Sequence, residues 1–171
     1  GSPDDNWLPW LASELVKLEH EVLVPRMPDT DTPVIEKWVR HLSKVVGTPD
    51  SNTYLVGHSI GCQAILRYLE TVRDPIGGAV FVAGWFNLEN MESEEEETIA
   101  HPWIETPINL EKVKSVVPKS TLIISDNDDY GAFEENRERF KGLVTKEVIL
   151  PNAEHITGLE YPEILSEVVS L

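Results

Sequence analysis

The sequence predicts a doubly wound α/β protein, a mainly parallel sheet covered by helices on both faces in three layers. Three observations predict it. Short continuous apolar runs such as NTYLVG and GGAVFVAG have the composition of strands buried on both sides. Between such runs, apolar residues recur at intervals of three and four, the period of a helix face. The two patterns alternate along the chain, and right-handed crossovers turn that alternation into a parallel sheet.

The first helix is expected over residues 7–19, where Leu8, Leu11, Leu15 and Leu18 share one face. HEVLVPRMP, residues 20–28, follows as a short apolar strand ended by prolines. Thr32 and Pro33 open a second helix whose apolar face is Val34, Ile35, Trp38, Val39, Leu42 and Val45. The run NTYLVG is the next strand, and Ile60, Ala64, Ile65, Leu66 and Leu69 resume the helical spacing behind it. GGAVFVAG, STLIISD and KEVILP complete a predicted set of five strands. Helices are expected at about 109–117, 131–142 and 162–170. Residues 85–108 carry no clear period, and at that length the stretch is a candidate lid over the active end of the sheet.

Composition bounds the function. The 171 residues suit a single domain spanning 1–171, and 41% hydrophobic with 26% charged residues is ordinary for a chain that folds. Fourteen basic against 30 acidic side chains give a net charge of −16, whose field repels phosphate backbones and anionic lipid, so neither nucleic acid nor membrane is an expected partner. The acidic run MESEEEET is expected to be a solvated loop or helix start. One cysteine, Cys62, excludes an internal disulfide and a thiolate cluster. It is expected as a small buried residue beneath the elbow described next. With no long apolar span and no secretory pattern, the cytoplasm is the expected location. Asp4, Asp5, Asp29 and Asp31 match no calcium-loop spacing, and neither a metal nor a cofactor is expected.

The chemistry is carried by LVGHSIGC. Gly57, Ser59 and Gly61 form G-x-S-x-G between a predicted strand and a predicted helix, the context of a nucleophile elbow. The glycines are expected to let strand and helix approach closely. The bland alternative is a glycine-rich turn in which Ser59 caps the helix. A serine alcohol needs a histidine base and a carboxylate to orient it, in the chain order Ser, Asp, His. His155, in the loop after the last strand, has the right location; His20 and His41 lie at polar helix positions, His58 inside the elbow and His101 in the long loop. SDNDDY follows a strand with Asp126, Asp128 and Asp129 crowded together, and position alone leaves the acid open. The backbone N–H of Ile60, just after the nucleophile, is the expected first donor of an oxyanion hole.

Taken together, GHSIGCQAILRYLE, GGAVFVAG, PINLEKVK, SDNDDY and LPNAEHITG resemble the small serine hydrolases of the retinoblastoma-binding protein 9 type, a compact branch of the α/β-hydrolases. The likeness covers nearly the whole chain, with the blocks in the same order and spacing. It implies Ser59 as nucleophile and His155 as base. The family's acid loop has the form S-x-x-D-P-[FY], which matched onto Ser125 through Tyr130 selects Asp128; Asp129 stands where the proline would be and is the alternative acid. In the family, an apolar strand and a His-Gly turn precede the segment with which this sequence begins, GSPDDNWLPWL. The expected fold is therefore an α/β-hydrolase lacking the family's first strand, with unpaired backbone groups that favour self-association.

The function these residues imply is hydrolysis of a small carboxylic ester, with amide or peptide as further substrates, through a Ser-His-Asp triad and an acyl-enzyme. His58, Trp85 and Phe86 are the expected pocket residues, with Trp103 in the lid, while Trp7 and Trp10 are expected in the core. The alternative is a catalytically weak hydrolase scaffold that binds another protein, since fold does not determine function.

Overall fold

The computed structural model describes residues 2–91 and 93–171. Among them, four strands, β1 (Tyr54–His58), β2 (Gly78–Val82), β3 (Ser120–Ser125) and β4 (Lys146–Leu150), pair in the order β1-β2-β3-β4, and every pairing is parallel. Helices α1 (Leu8–Lys17) and α2 (Ile35–Val46) precede β1, and α3 (Ile60–Leu69) leads from β1 to β2. Then α4 (Glu94–Glu105) and α5 (Leu110–Val116) lead to β3, α6 (Phe133–Lys141) leads to β4, and α7 (Pro162–Val169) follows.

Period-two geometry sends alternate residues of a strand to opposite faces, so a strand apolar throughout can serve two cores. β2 does this along its whole buried length. Ala79 and Phe81 pack with Leu66, Val113 and Phe140 from α3, α5 and α6. Val80 and Val82 pack on the other face with Leu11, Leu15 and Ile164 from α1 and α7. The predicted three layers are therefore present. A third cluster, built from Trp38, Ala64, Trp85 and Trp103, lies where α2, α3 and α4 meet the segment after β2.

Two expectations fail. Residues 20–28 form no strand, which leaves four strands rather than five. Val22 packs against the α1/α7 core, but Leu23 is exposed, and β1 pairs with β2 alone. An apolar run becomes a strand only when a neighbour accepts and donates its ladder hydrogen bonds, and none of the described residues does so here. Nor is the stretch 85–108 irregular throughout, because it contains α4. Ser93 caps that helix, its Oγ accepting the Glu96 N–H at 3.2 Å, and Glu94 to Glu97 occupy the first turn, where the positive end of the helix dipole stabilises negative charge. Its apolar face is narrow, burying only Ala100 and Trp103.

No helix among the described residues is long and apolar enough to cross a membrane.

Candidate active site

The site is assembled at the carboxyl ends of the strands from three loops. The first is the elbow. Ser59 follows β1 with φ 53° and ψ −122°, a conformation that costs a residue bearing a Cβ on the order of 1–3 kcal/mol and persists only where its surroundings impose it. Two hydrogen bonds do so: the Ser59 N–H donates to the Val82 carbonyl at 2.9 Å, and the Ser59 carbonyl accepts the Cys62 N–H at 2.9 Å. The turn needs Gly57. A Cβ there would lie 2.9 Å from the Cys62 nitrogen and the Ile65 Cδ1 and 3.0 Å from the Gly61 carbonyl carbon. Gly61 differs from the expectation, since a Cβ on it would meet nothing within 4 Å. Cys62 is fully buried, and burial pushes its thiol pKa up.

The Ser59 side chain makes no capping bond to α3. Its Oγ lies 2.8 Å from His155 Nε2, and His155 Nδ1 lies 2.8 Å from Asp128 Oδ2. A carboxylate only accepts, so the Nδ1 proton faces Asp128 and leaves the Nε2 lone pair to the serine hydroxyl. Asp128 also accepts backbone N–H groups of Tyr130 at 3.0 Å and Gly131 at 3.3 Å through Oδ1, which fixes its carboxylate plane. Its side chain is 4% exposed and that of His155 19% exposed. Asp129 is exposed, and its backbone carbonyl, rather than its carboxylate, is tied down by Asn90 Nδ2 at 3.0 Å.

Three other polar residues, at the end of β3 and in the loop after it, hold the loop that carries His155. Asp126 Oδ1 accepts the Asn152 N–H at 2.8 Å, Ser125 Oγ the Ala153 N–H at 3.0 Å, and Asn127 Oδ1 the Glu154 N–H at 2.9 Å. Those bonds clamp a loop in which Asn152, Glu154 and Ile156 all have positive φ. The crowding of polar residues in SDNDDY thus has two uses, orienting one ring and bracing the chain that carries it.

His58, Trp85 and Phe86 part company. The His58 ring stands edge-on to Trp7, with centroids 5.6 Å apart, and its Nε2–H donates to the His155 carbonyl at 2.9 Å. Desolvation pushes its pKa down to about 4, so the ring is neutral at pH 7. It braces the loop that carries His155. Trp85 is buried and donates its indole N–H to Ser59 Oγ at 3.3 Å. Phe86 turns instead into the α3/α5/α6 core, its ring 4.8 Å from that of Phe140. Trp103 is also core, its indole N–H donating to the Pro33 carbonyl at 3.2 Å and its ring edge-on to Trp38. Ile60 opens α3, so its N–H is one of the helix's leading donors without an intrahelical acceptor.

Sequence reasoning missed two buried amides. Asn136 Oδ1 accepts the N–H groups of Phe86 and Asn87 at 2.7 and 3.0 Å, and Gln63 Nε2 donates to the Trp85 carbonyl at 2.6 Å. Both sit in helices where a polar residue carries no signal of burial. Among the described residues, no group of three or more His, Cys, Asp or Glu is placed to hold a metal ion.

Known proteins share this arrangement of elements. Over 86 residues, 49% of this chain and 45% of the relative, the sequence is 40% identical to the putative hydrolase YdeN of Bacillus subtilis. It is 24% identical to the rat (Rattus norvegicus) serine hydrolase RBBP9 over 166 residues, 96% of this chain and 86% of that protein. The crystal structure of the B. subtilis ydeN gene product superposes with a TM-score of 0.88 at 24% identity, covering 99% of this chain and 92% of that one. A polyneuridine aldehyde esterase superposes with a TM-score of 0.66 at 14% identity, covering 94% and 91%, which shows the α/β-hydrolase fold. The serine hydrolase family model matches residues 1–160, and the chain belongs to that family.

Proposed function

We propose that this serine hydrolase cleaves a small carboxylic ester with Ser59 as nucleophile, His155 as general base and acid, and Asp128 as the group that orients the imidazole. One observation carries the reading: a continuous relay in which Asp128, His155 and Ser59 Oγ are joined by two contacts of 2.8 Å. That is within the reach a nucleophile and its base require.

In the reaction, the Ser59 proton passes to His155 Nε2 as Oγ bonds to the acyl carbon and the carbonyl π pair moves onto oxygen. Asp128 stabilises the imidazolium without taking its proton. The Ile60 N–H donates to the oxyanion. Collapse of the intermediate expels the alcohol, which takes the proton from Nε2, and leaves an acyl-Ser59. Water then attacks with His155 again as base, releasing the carboxylic acid and restoring the serine. Exposed Asp126, Asp129 and Glu154 surround the base loop, so uncharged substrates are favoured over anionic ones.

A fluorophosphonate tests this. The expected result is one phosphonyl adduct on Ser59, turnover of a short p-nitrophenyl ester, and loss of both in Ser59→Ala. A folded wild-type protein that neither labels nor turns over the ester overturns the proposal.

A further inference from the structure

We propose that Trp85 is a catalytic hydrogen-bond donor, whose indole N–H holds Ser59 Oγ for attack and then serves the oxyanion beside the Ile60 N–H. This rests on the hydrolytic reading of Ser59 above. The indole Nε1 lies 3.3 Å from Oγ. An indole N–H only donates, and a buried one requires an acceptor, so Oγ accepts from Trp85 with a lone pair while its own proton faces His155 Nε2 at 2.8 Å. Oγ is thereby held from two sides in one rotamer. As its proton leaves for Nε2, the developing negative charge faces a fixed donor.

The donor is preorganised from the inside of the protein. Trp85 is 3% exposed, and its ring belongs to the cluster of Trp38, Ala64 and Trp103 on which the Ile60 side chain also packs. Its carbonyl accepts from Gln63 Nε2 at 2.6 Å, and Gln63 Oε1 in turn accepts from Arg67 Nη2 at 3.2 Å. The same Arg67 nitrogen reaches the carbonyls of Trp103 at 2.8 Å and Thr106 at 2.9 Å, anchoring the end of α4 against which the indole is packed. An indole fixed at both its backbone and its ring does not reorganise when charge appears, the condition under which a donor in a site of low dielectric is effective. When Oγ bonds to the acyl carbon, the π pair of the C=O moves to an oxygen attached to that same carbon. The new oxyanion is thus adjacent to the atom the N–H already touches, and the Ile60 N–H, at the start of α3 next to Ser59, supplies the second donor.

The test removes the N–H and keeps the shape. For Trp85→Phe, and for 3-benzothienylalanine incorporated at position 85, in which sulfur replaces the N–H in an isosteric ring, the expected result is a kcat lower by about 10- to 100-fold with KM within about twofold. Inhibition by a trifluoromethyl ketone, whose hemiketal with Ser59 carries the oxyanion, weakens by a similar factor, whereas inhibition by the product carboxylic acid does not change. Should the phenylalanine variant fail to fold, the isosteric residue decides alone. Unchanged kcat and unchanged ketone affinity in the isosteric protein overturn the assignment, as does a loss confined to KM. Normal fluorophosphonate labelling of wild-type Ser59 alongside such a result refutes the role of Trp85 only; absence of labelling and turnover in the folded wild type refutes the hydrolytic reading and this one with it.

Discussion

The two glycines of the elbow look equivalent in sequence and are not equivalent in space. In Gly57→Ala the new methyl would sit 2.9 Å from the Cys62 nitrogen and 3.0 Å from the Gly61 carbonyl carbon, both backbone atoms of the α3 start, as well as 2.9 Å from Ile65 Cδ1. A side-chain methyl can rotate away, but the backbone cannot without moving the helix. Restoring ordinary contact means widening the strand–helix separation by about half an ångström, and overpacking of this kind costs about 1–3 kcal/mol. Ser59 sits in the turn being opened, so Oγ leaves the 2.8 Å contact with His155; a displacement of about 1 Å at a reacting atom costs about 100-fold in rate, and about half that distance costs about 10-fold. Gly61→Ala is the internal control. Its Cβ would meet nothing within 4 Å and it lies inside α3, where alanine is favoured over glycine by about 0.5–1 kcal/mol. Urea melts and fluorophosphonate labelling rates on the two variants give the answer. Gly57→Ala is expected to lose stability and most of its labelling rate, whereas Gly61→Ala is expected to match or exceed wild-type stability and to label within about threefold of it. Equal damage from the two substitutions, or none from Gly57→Ala, would refute the reasoning.

Two further outcomes separate residues that the sequence leaves alike or unassigned. Asp128→Asn is expected to lower kcat for a short ester by about 10³- to 10⁴-fold, because an amide no longer imposes the imidazole tautomer, while Asp129→Asn stays within about threefold of wild type; steady-state kinetics on both variants check this. The His58 pKa is depressed from 6.5 to about 4 in the folded state, so the unfolded chain binds the additional proton, and stability present above pH 6.5 declines as pH falls through that window by up to about 1.4 kcal/mol per unit. Urea melts between pH 7 and pH 4 are expected to show a shallower decline for His58→Gln, which lacks the titration; identical slopes would contradict the account.

Much of this protein is legible in short stretches of sequence. The buried strands announce themselves as unbroken apolar runs, and the elbow as glycine and serine spacing at a strand–helix junction. His155 stands out as a candidate by its position in the loop after the last strand. These are local signals, set by backbone conformation and burial within a few residues. What the tertiary structure decided were partnerships. Residues 20–28 are as apolar as a strand, yet form none because no described neighbour completes their ladder. Asp128 rather than Asp129 faces His155 because the turn at Tyr130 and Gly131 holds one carboxylate inward and leaves the other in solvent. Trp85 and Phe86 are adjacent aromatic residues, and the fold after β2 sends one to Ser59 and the other to Phe140. Gln63 and Asn136 give no sign in sequence of their buried bonds to the segment after β2. A hydrogen bond or a close contact is a relation between two distant segments, and its outcome depends on angles and distances that only the assembled layers impose.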